Sequence, residues 1–247
     1  MKIVGYSFLP AIITLISYSF SKKILSYISG FRQEHEKFQT IMNLGLGFVF
    51  FLTPLIIAGM LGQYHLWVVF GILLIYSGVA IRELIETITS LATYTIEYDS
   101  HRASDNLFEN INLHLLSTEF LFIVLTFLIG VNLIYIIRPM PIGWDDLGVY
   151  MNFPNIIAQN GKLLAGNGMI AWQAFTGIGF MFKSTAQAFF LSDLGGILSL
   201  IICGLSFSYF TSEKKKHFIN LPLLACTILF AMPMVIFQQA KDIKVDL

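Results

Sequence analysis

The chain has 247 residues and no net charge; 56% of its residues are hydrophobic and only 12% are charged, with a mean hydropathy of +0.74. A soluble domain carries about twice that share of charge, so the 23 phenylalanines and the scarcity of charged side chains point to lipid as the main solvent. Balanced charge supplies no field that would gather nucleic acid, which is excluded as a partner; membrane lipids are expected as one.

A helix needs about 20 apolar residues to cross a bilayer. In chain order the apolar stretches are 3–20, 41–62, 66–81, 115–137, 187–210 and 218–238, the first and third being the shortest. The first is preceded only by Lys2 and followed by Lys22 and Lys23, with no small-residue cleavage pattern, so it reads as a retained helix. Pro10, Pro54, Pro222 and Pro233 fall inside these stretches, where a neighbour must satisfy each carbonyl that a proline frees. Cys203 and Cys226 lie in apolar runs and read as small hydrophobes rather than as a disulfide or a metal site. The expected fold class is all-α: a polytopic membrane protein of about six transmembrane helices, with interfacial helices in an outer loop.

Basic residues set the expected orientation. Lys22, Lys23, Arg32 and Lys37 fill the first loop and Lys214, Lys215 and Lys216 the fifth, so both are expected in the cytoplasm. The third loop, 82–114, then shares that side. It carries Ile85, Ile88, Leu91, Ala92 and Ile96 at roughly helical spacing, as an interfacial helix or as an extension of the preceding span. The turn Gln63-Tyr64-His65, the long loop 138–186 and the C-terminal segment are expected on the opposite face.

The loop 138–186 carries most of the chemical information. It opens Arg138-Pro139-Met140-Pro141-Ile142-Gly143-Trp144-Asp145-Asp146-Leu147-Gly148-Val149-Tyr150, two adjacent carboxylates just past a membrane exit. Asp145 suits the N-cap of a helix beginning near Asp146, which Pro154 would bend or interrupt and Asn160-Gly161 would stop. The apolar run 169–182 is too short to cross and is expected to lie in the outer interface.

The segment 141–150, with Asn160-Gly161-Lys162-Leu163-Leu164-Ala165-Gly166 after it, resembles the GT-C membrane glycosyltransferases, especially bacterial aminoarabinose and protein mannosyl transferases. In that family a membrane helix leads into an outer loop that opens on an acidic motif and continues through interfacial helices. The terminal Lys241-Asp242-Ile243-Lys244-Val245-Asp246 is similar to a second acidic segment of some members. The resemblance covers roughly 115–247 and implies two parts: a three-helix membrane extension over 1–114, and the start of a GT-C-like catalytic module over 115–247 with its acidic loop at 138–186. Family members carry further helices beyond this point, so the chain is expected to be an N-terminal portion, or to need a partner chain.

What the resemblance implies is transfer of a sugar from a polyprenyl-phosphate donor to an acceptor on the outer face of the bacterial cytoplasmic membrane, as part of cell-envelope synthesis. An acceptor hydroxyl must lose a proton to a carboxylate, and the departing phosphate needs a cation. Asp145 and Asp146 are the expected catalytic residues, as base or as ligands of a divalent cation such as Mg²⁺ or Mn²⁺, with Asp242 and Asp246 as further metal ligands. Arg138, Tyr150, Lys241 and Lys244 are expected to bind the substrate. Each has a plainer use: the Asp pair caps a helix and solvates a turn, Arg138 snorkels, and the terminal cluster is a solvated tail. Glu119 and Asp193 are costly in lipid and should face protein or water; His65, His101 and His114 are isolated. Two other function classes stay open: a small transporter, which needs charges along a mid-membrane path, and a non-enzymatic membrane subunit.

Overall fold

The computed structural model describes residues 2–28, 30–31, 34–102, 118–136, 151–163, 170–211 and 221–231. All regular structure among them is helical: α1 (Lys2–Leu25), α2 (Glu36–Met60), α3 (Leu66–Val79), α4 (Ile81–Arg102), α5 (Thr118–Ile136), α6 (Asn152–Asn160), α7 (Ile170–Met181), α8 (Thr185–Thr211) and α9 (Leu221–Ala231). Among the described residues α1 and α2 are long and apolar enough to cross a membrane, and α3 with α4 makes a third candidate if that bent pair counts as one span. Large apolar side chains stand open to the surroundings, Leu74 at 75% and Phe127 at 68% exposure among them. A water-facing surface does not tolerate so many; this is a membrane protein.

The seam between α1 and α2 follows from residues spaced four apart. Ile13, Ser17 and Ser21 are buried on α1, and Asn43, Gly47, Phe51, Leu55 and Gly59 on α2. A Cβ on Gly47 would lie 2.7 Å from the Ser17 carbonyl oxygen, so the two backbones touch there. Small residues allow that approach, and close packing is what holds helices together in lipid. Pro54 lacks the N–H that would bond the Phe50 carbonyl, and the Tyr76 hydroxyl from α3 donates to it instead, at 2.6 Å.

After Val79 the chain turns by 86° into α4. Ala80 leaves helical geometry (φ −111°, ψ 27°) and is fully buried. α4 is therefore not a straight continuation of α3. Polar residues of α4 lie against the basic end of α1: Lys22 meets Glu86 at 3.5 Å and Lys23 meets Glu83 at 3.2 Å. The exposed Lys22–Glu86 pair contributes little, whereas Glu83 is partly buried against Lys23; together they fix which face of α4 turns toward α1.

α8 runs antiparallel to α2. Its last turns reach the start of α2, where the Lys37 ammonium donates to the Ser208 carbonyl at 3.2 Å and to the Ser208 hydroxyl, and Tyr209 meets the His35 ring. The main core lies between α1, α2, α3, α6, α7 and α8, around Phe51, Leu55, Tyr64, Phe175 and Leu191. A smaller cluster joins α5 and α9 to α8 through Leu125, Leu128, Ile129, Leu200, Cys226 and Leu229.

Candidate functional site

The turn between α2 and α3 holds the end of α6 and the first half of α7. Tyr64 is fully buried. Its backbone N–H donates to the Gly161 carbonyl at 2.8 Å, and its hydroxyl donates to the Ala174 carbonyl. Burial pushes the Tyr64 phenol well above its ordinary range, which keeps it a donor at every working pH. The Leu163 N–H donates to the Gly59 carbonyl at 3.0 Å. Gly161 ends α6 with φ +68°, as Asn160-Gly161 predicts, and a Cβ there would sit 2.5 Å from the His65 ring. His65, unassigned in the sequence, is thus a packing partner of the helix stop. Pro154 falls in the first turn of α6, where a proline costs no hydrogen bond, so it does not interrupt that helix. The described helix starts at Asn152 with Met151 at its N-cap.

α7, expected as an interfacial helix, is packed inside protein. Residues 173–179 are buried without interruption. Gly179 lies on the backbone of Ala188, where a Cβ would come within 2.3 Å of the amide nitrogen, and Gly195 lies under the Trp172 ring. Those two contacts run in opposite directions along α7 and α8, so the helices form an antiparallel hairpin. Phe175 meets Phe48 and Phe51, halfway along α2, and Phe182 meets Phe70 on α3. The 12 residues of α7, about 18 Å long, therefore lie within the bundle. Gly177 and Gly179 permit the close packing.

The first turn of α7 carries polar groups into that interior. Gln173 is 1% exposed, and neither of its amide atoms has a hydrogen-bond partner; the Trp172 indole nitrogen is also buried and unpartnered. The Thr176 hydroxyl donates to the Trp172 carbonyl at 3.0 Å. One donor–acceptor amide and one indole donor are thus available in the interior of the bundle. A glutamine inside an apolar run is the sequence signal for them, and hydropathy averaging hides it.

Arg138, Asp145, Asp146, Tyr150, Lys241, Asp242, Lys244 and Asp246 lie outside the described residues. Asp193 belongs to α8 and Glu119 to the first turn of α5, with their side chains outside the described set. The helices flanking the acidic segments are described. α5 ends two residues before Arg138, and α6 begins six residues after Asp146. α9 precedes the terminal Lys/Asp segment and packs on α5, so the two charged segments follow neighbouring helices. Among the described residues no group of three or more His, Cys, Asp or Glu side chains is placed to hold a metal ion. No family model, curated protein or solved structure matches the chain.

Proposed function

We propose that the chain is a membrane glycosyltransferase, or part of one, that moves a sugar from a polyprenyl-phosphate donor to an acceptor at the outer face of a bacterial cytoplasmic membrane. The observation that carries this reading is the position of Asp145-Asp146. The pair follows the apolar helix α5 and precedes α6, which is bonded to the Tyr64 turn. An acidic segment between an apolar helix and a folded return is suited to a lipid-borne substrate arriving sideways.

In this reading six helices span the membrane, with Lys22, Lys23 and Lys37 on the cytoplasmic side. Asp145 or Asp146 takes the acceptor proton or, with Asp242 and Asp246, holds a divalent cation against the phosphate. Arg138, Tyr150, Lys241 and Lys244 bind the donor. Asp145→Asn and Asp146→Asn in the complete protein are expected to lower sugar transfer in membrane vesicles by about 10²–10⁴-fold at unchanged protein level. Parental turnover in both variants would remove this site.

A second reading, a small transporter, draws on α7. Half-length helices with polar groups in the interior of a bundle are a recurrent way of building a transport site, and Gln173 has neither amide atom partnered. Protein-dependent solute flux into liposomes that Gln173→Leu abolishes would favour it.

A further inference from the structure

The only two cysteines of the chain, Cys203 and Cys226, belong to α8 and α9 and are both free thiols. The sequence makes them unrelated small apolar residues, and the packing brings them together. The Cys226 thiol donates to the Leu200 carbonyl at 3.4 Å. A Cβ on Gly204 would lie 3.2 Å from the same sulfur. Leu200, Cys203 and Gly204 are three and four positions apart and share one face of α8. The Cys226 sulfur therefore rests on the stripe of α8 that carries Cys203.

Their surroundings decide what can reach them. Cys226 is buried and Cys203 half-buried. Ile201, Phe207 and Ile228, at 44%, 46% and 53% exposure, give this part of α8 and α9 an apolar outer surface. A charged, water-soluble disulfide is kept out of such a setting, whereas a lipid-soluble oxidant partitions into it. The missing side chain at Gly204 leaves room for the Cys226 sulfur against α8, and a disulfide needs such a close approach of the two helices.

We propose that Cys203 and Cys226 are a modification site, forming a disulfide that staples α9 to α8 when oxidised by a two-electron acceptor of the quinone class. Both S–H bonds break and one S–S bond forms; the two electrons and two protons pass to the quinone, which leaves as quinol. The staple fixes the helix that leads to the Lys241–Asp246 segment, in the same cluster as the helix that leads to Asp145-Asp146. It does not depend on what the acidic segments do.

The test uses the purified complete protein in lipid vesicles with tetramethyl-benzoquinone, whose ring has no position open to thiol addition. After an acid quench and denaturation, free thiols are counted with a maleimide and linked peptides are identified by mass. The expected result is a fall of at least fivefold in free thiol, a Cys203–Cys226 linked peptide, and full recovery with dithiothreitol. Cys203→Ser and Cys226→Ser are each expected to keep their remaining thiol. Retention of both thiols in the parent, loss of the single thiol in either variant, or a link between two chains overturns the proposal.

Discussion

The Tyr76 hydroxyl donates at 2.6 Å to the Phe50 carbonyl, which Pro54 deprives of its helical donor. One helix thus completes the hydrogen bonding of another at a proline, and the Tyr76 ring is held by stacking on Phe20, with centroids 3.8 Å apart. Tyr76→Phe keeps the stack and leaves the carbonyl unpaired. It is expected to cost about 1–3 kcal/mol in detergent unfolding. In a Pro54→Ala background the helical N–H returns, and the same change is expected to cost under about 0.5 kcal/mol. Equal costs in the two backgrounds would show that the hydroxyl does not serve the proline.

Glycines offer an internal comparison. A Cβ on Gly179 would stand 2.3 Å from the Ala188 nitrogen, whereas one on Gly71 or Gly130 meets nothing within 4 Å. Backbone cannot yield as a side-chain tip can. Gly179→Ala is therefore expected to lower stability by about 2 kcal/mol or more, as overpacking does. Gly71→Ala and Gly130→Ala are expected to be neutral or to stabilise by up to about 1 kcal/mol through helix propensity. Thermal unfolding of the three variants side by side makes the comparison.

Lys183 joins α7 to α8 at φ 53°, the one positive-φ residue other than glycine among the described residues. The left-handed region costs a side chain about 1–2 kcal/mol, offset in part by the greater freedom that glycine gives the unfolded chain. Lys183→Gly is expected to raise stability by about 0.5–1 kcal/mol. A lower melting temperature in this variant would mean that the lysine side chain contributes a contact larger than the strain.

The Arg82 hydrogen bond, then the Lys22 and Arg82 charges, hold the Glu86 carboxyl below its usual range. A lowered folded pKa means that the contribution of Glu86 is present above the unfolded value of 4.5 and is lost as pH falls through the folded value. Cleavage at the α3–α4 junction by a protease active from acid to neutral pH is expected to rise in the parent protein as pH falls below 4.5. Glu86→Gln is expected to show the raised cleavage at neutral pH already. Glu83 pairs with Lys23 at the same junction, so the difference between parent and variant isolates Glu86. Identical profiles in the two proteins would remove Glu86 from the junction.

Hydropathy located the helices well where lipid is the main constraint. The stretch 41–62 became Glu36–Met60, 66–81 became Leu66–Val79, and 187–210 became Thr185–Thr211. The helix stop at Asn160-Gly161 was legible because only a residue tolerant of positive φ fits there. The burial of α7 in protein was not, because the Gly177 and Gly179 contacts depend on which helix arrives. The α4 bend was equally hidden: Ala80 carries no breaker signal, and its burial under neighbouring helices is a tertiary fact. Cys203 and Cys226 are 23 positions apart, and only the α8–α9 register joins them. The predicted site residues Asp145 and Asp146 fall outside the described residues, so their roles rest on sequence and on the helices that flank them.

The most direct test of sugar transfer is a mass balance on the donor. The complete protein, purified into lipid vesicles, is incubated with a polyprenyl-phosphate sugar labelled in both sugar and phosphate, a membrane extract as acceptor, and Mg²⁺ or Mn²⁺. The account predicts free polyprenyl phosphate and labelled acceptor in equal amounts, both lost with Asp145→Asn. Donor that remains intact under every cation condition, while the protein stays folded, would contradict it.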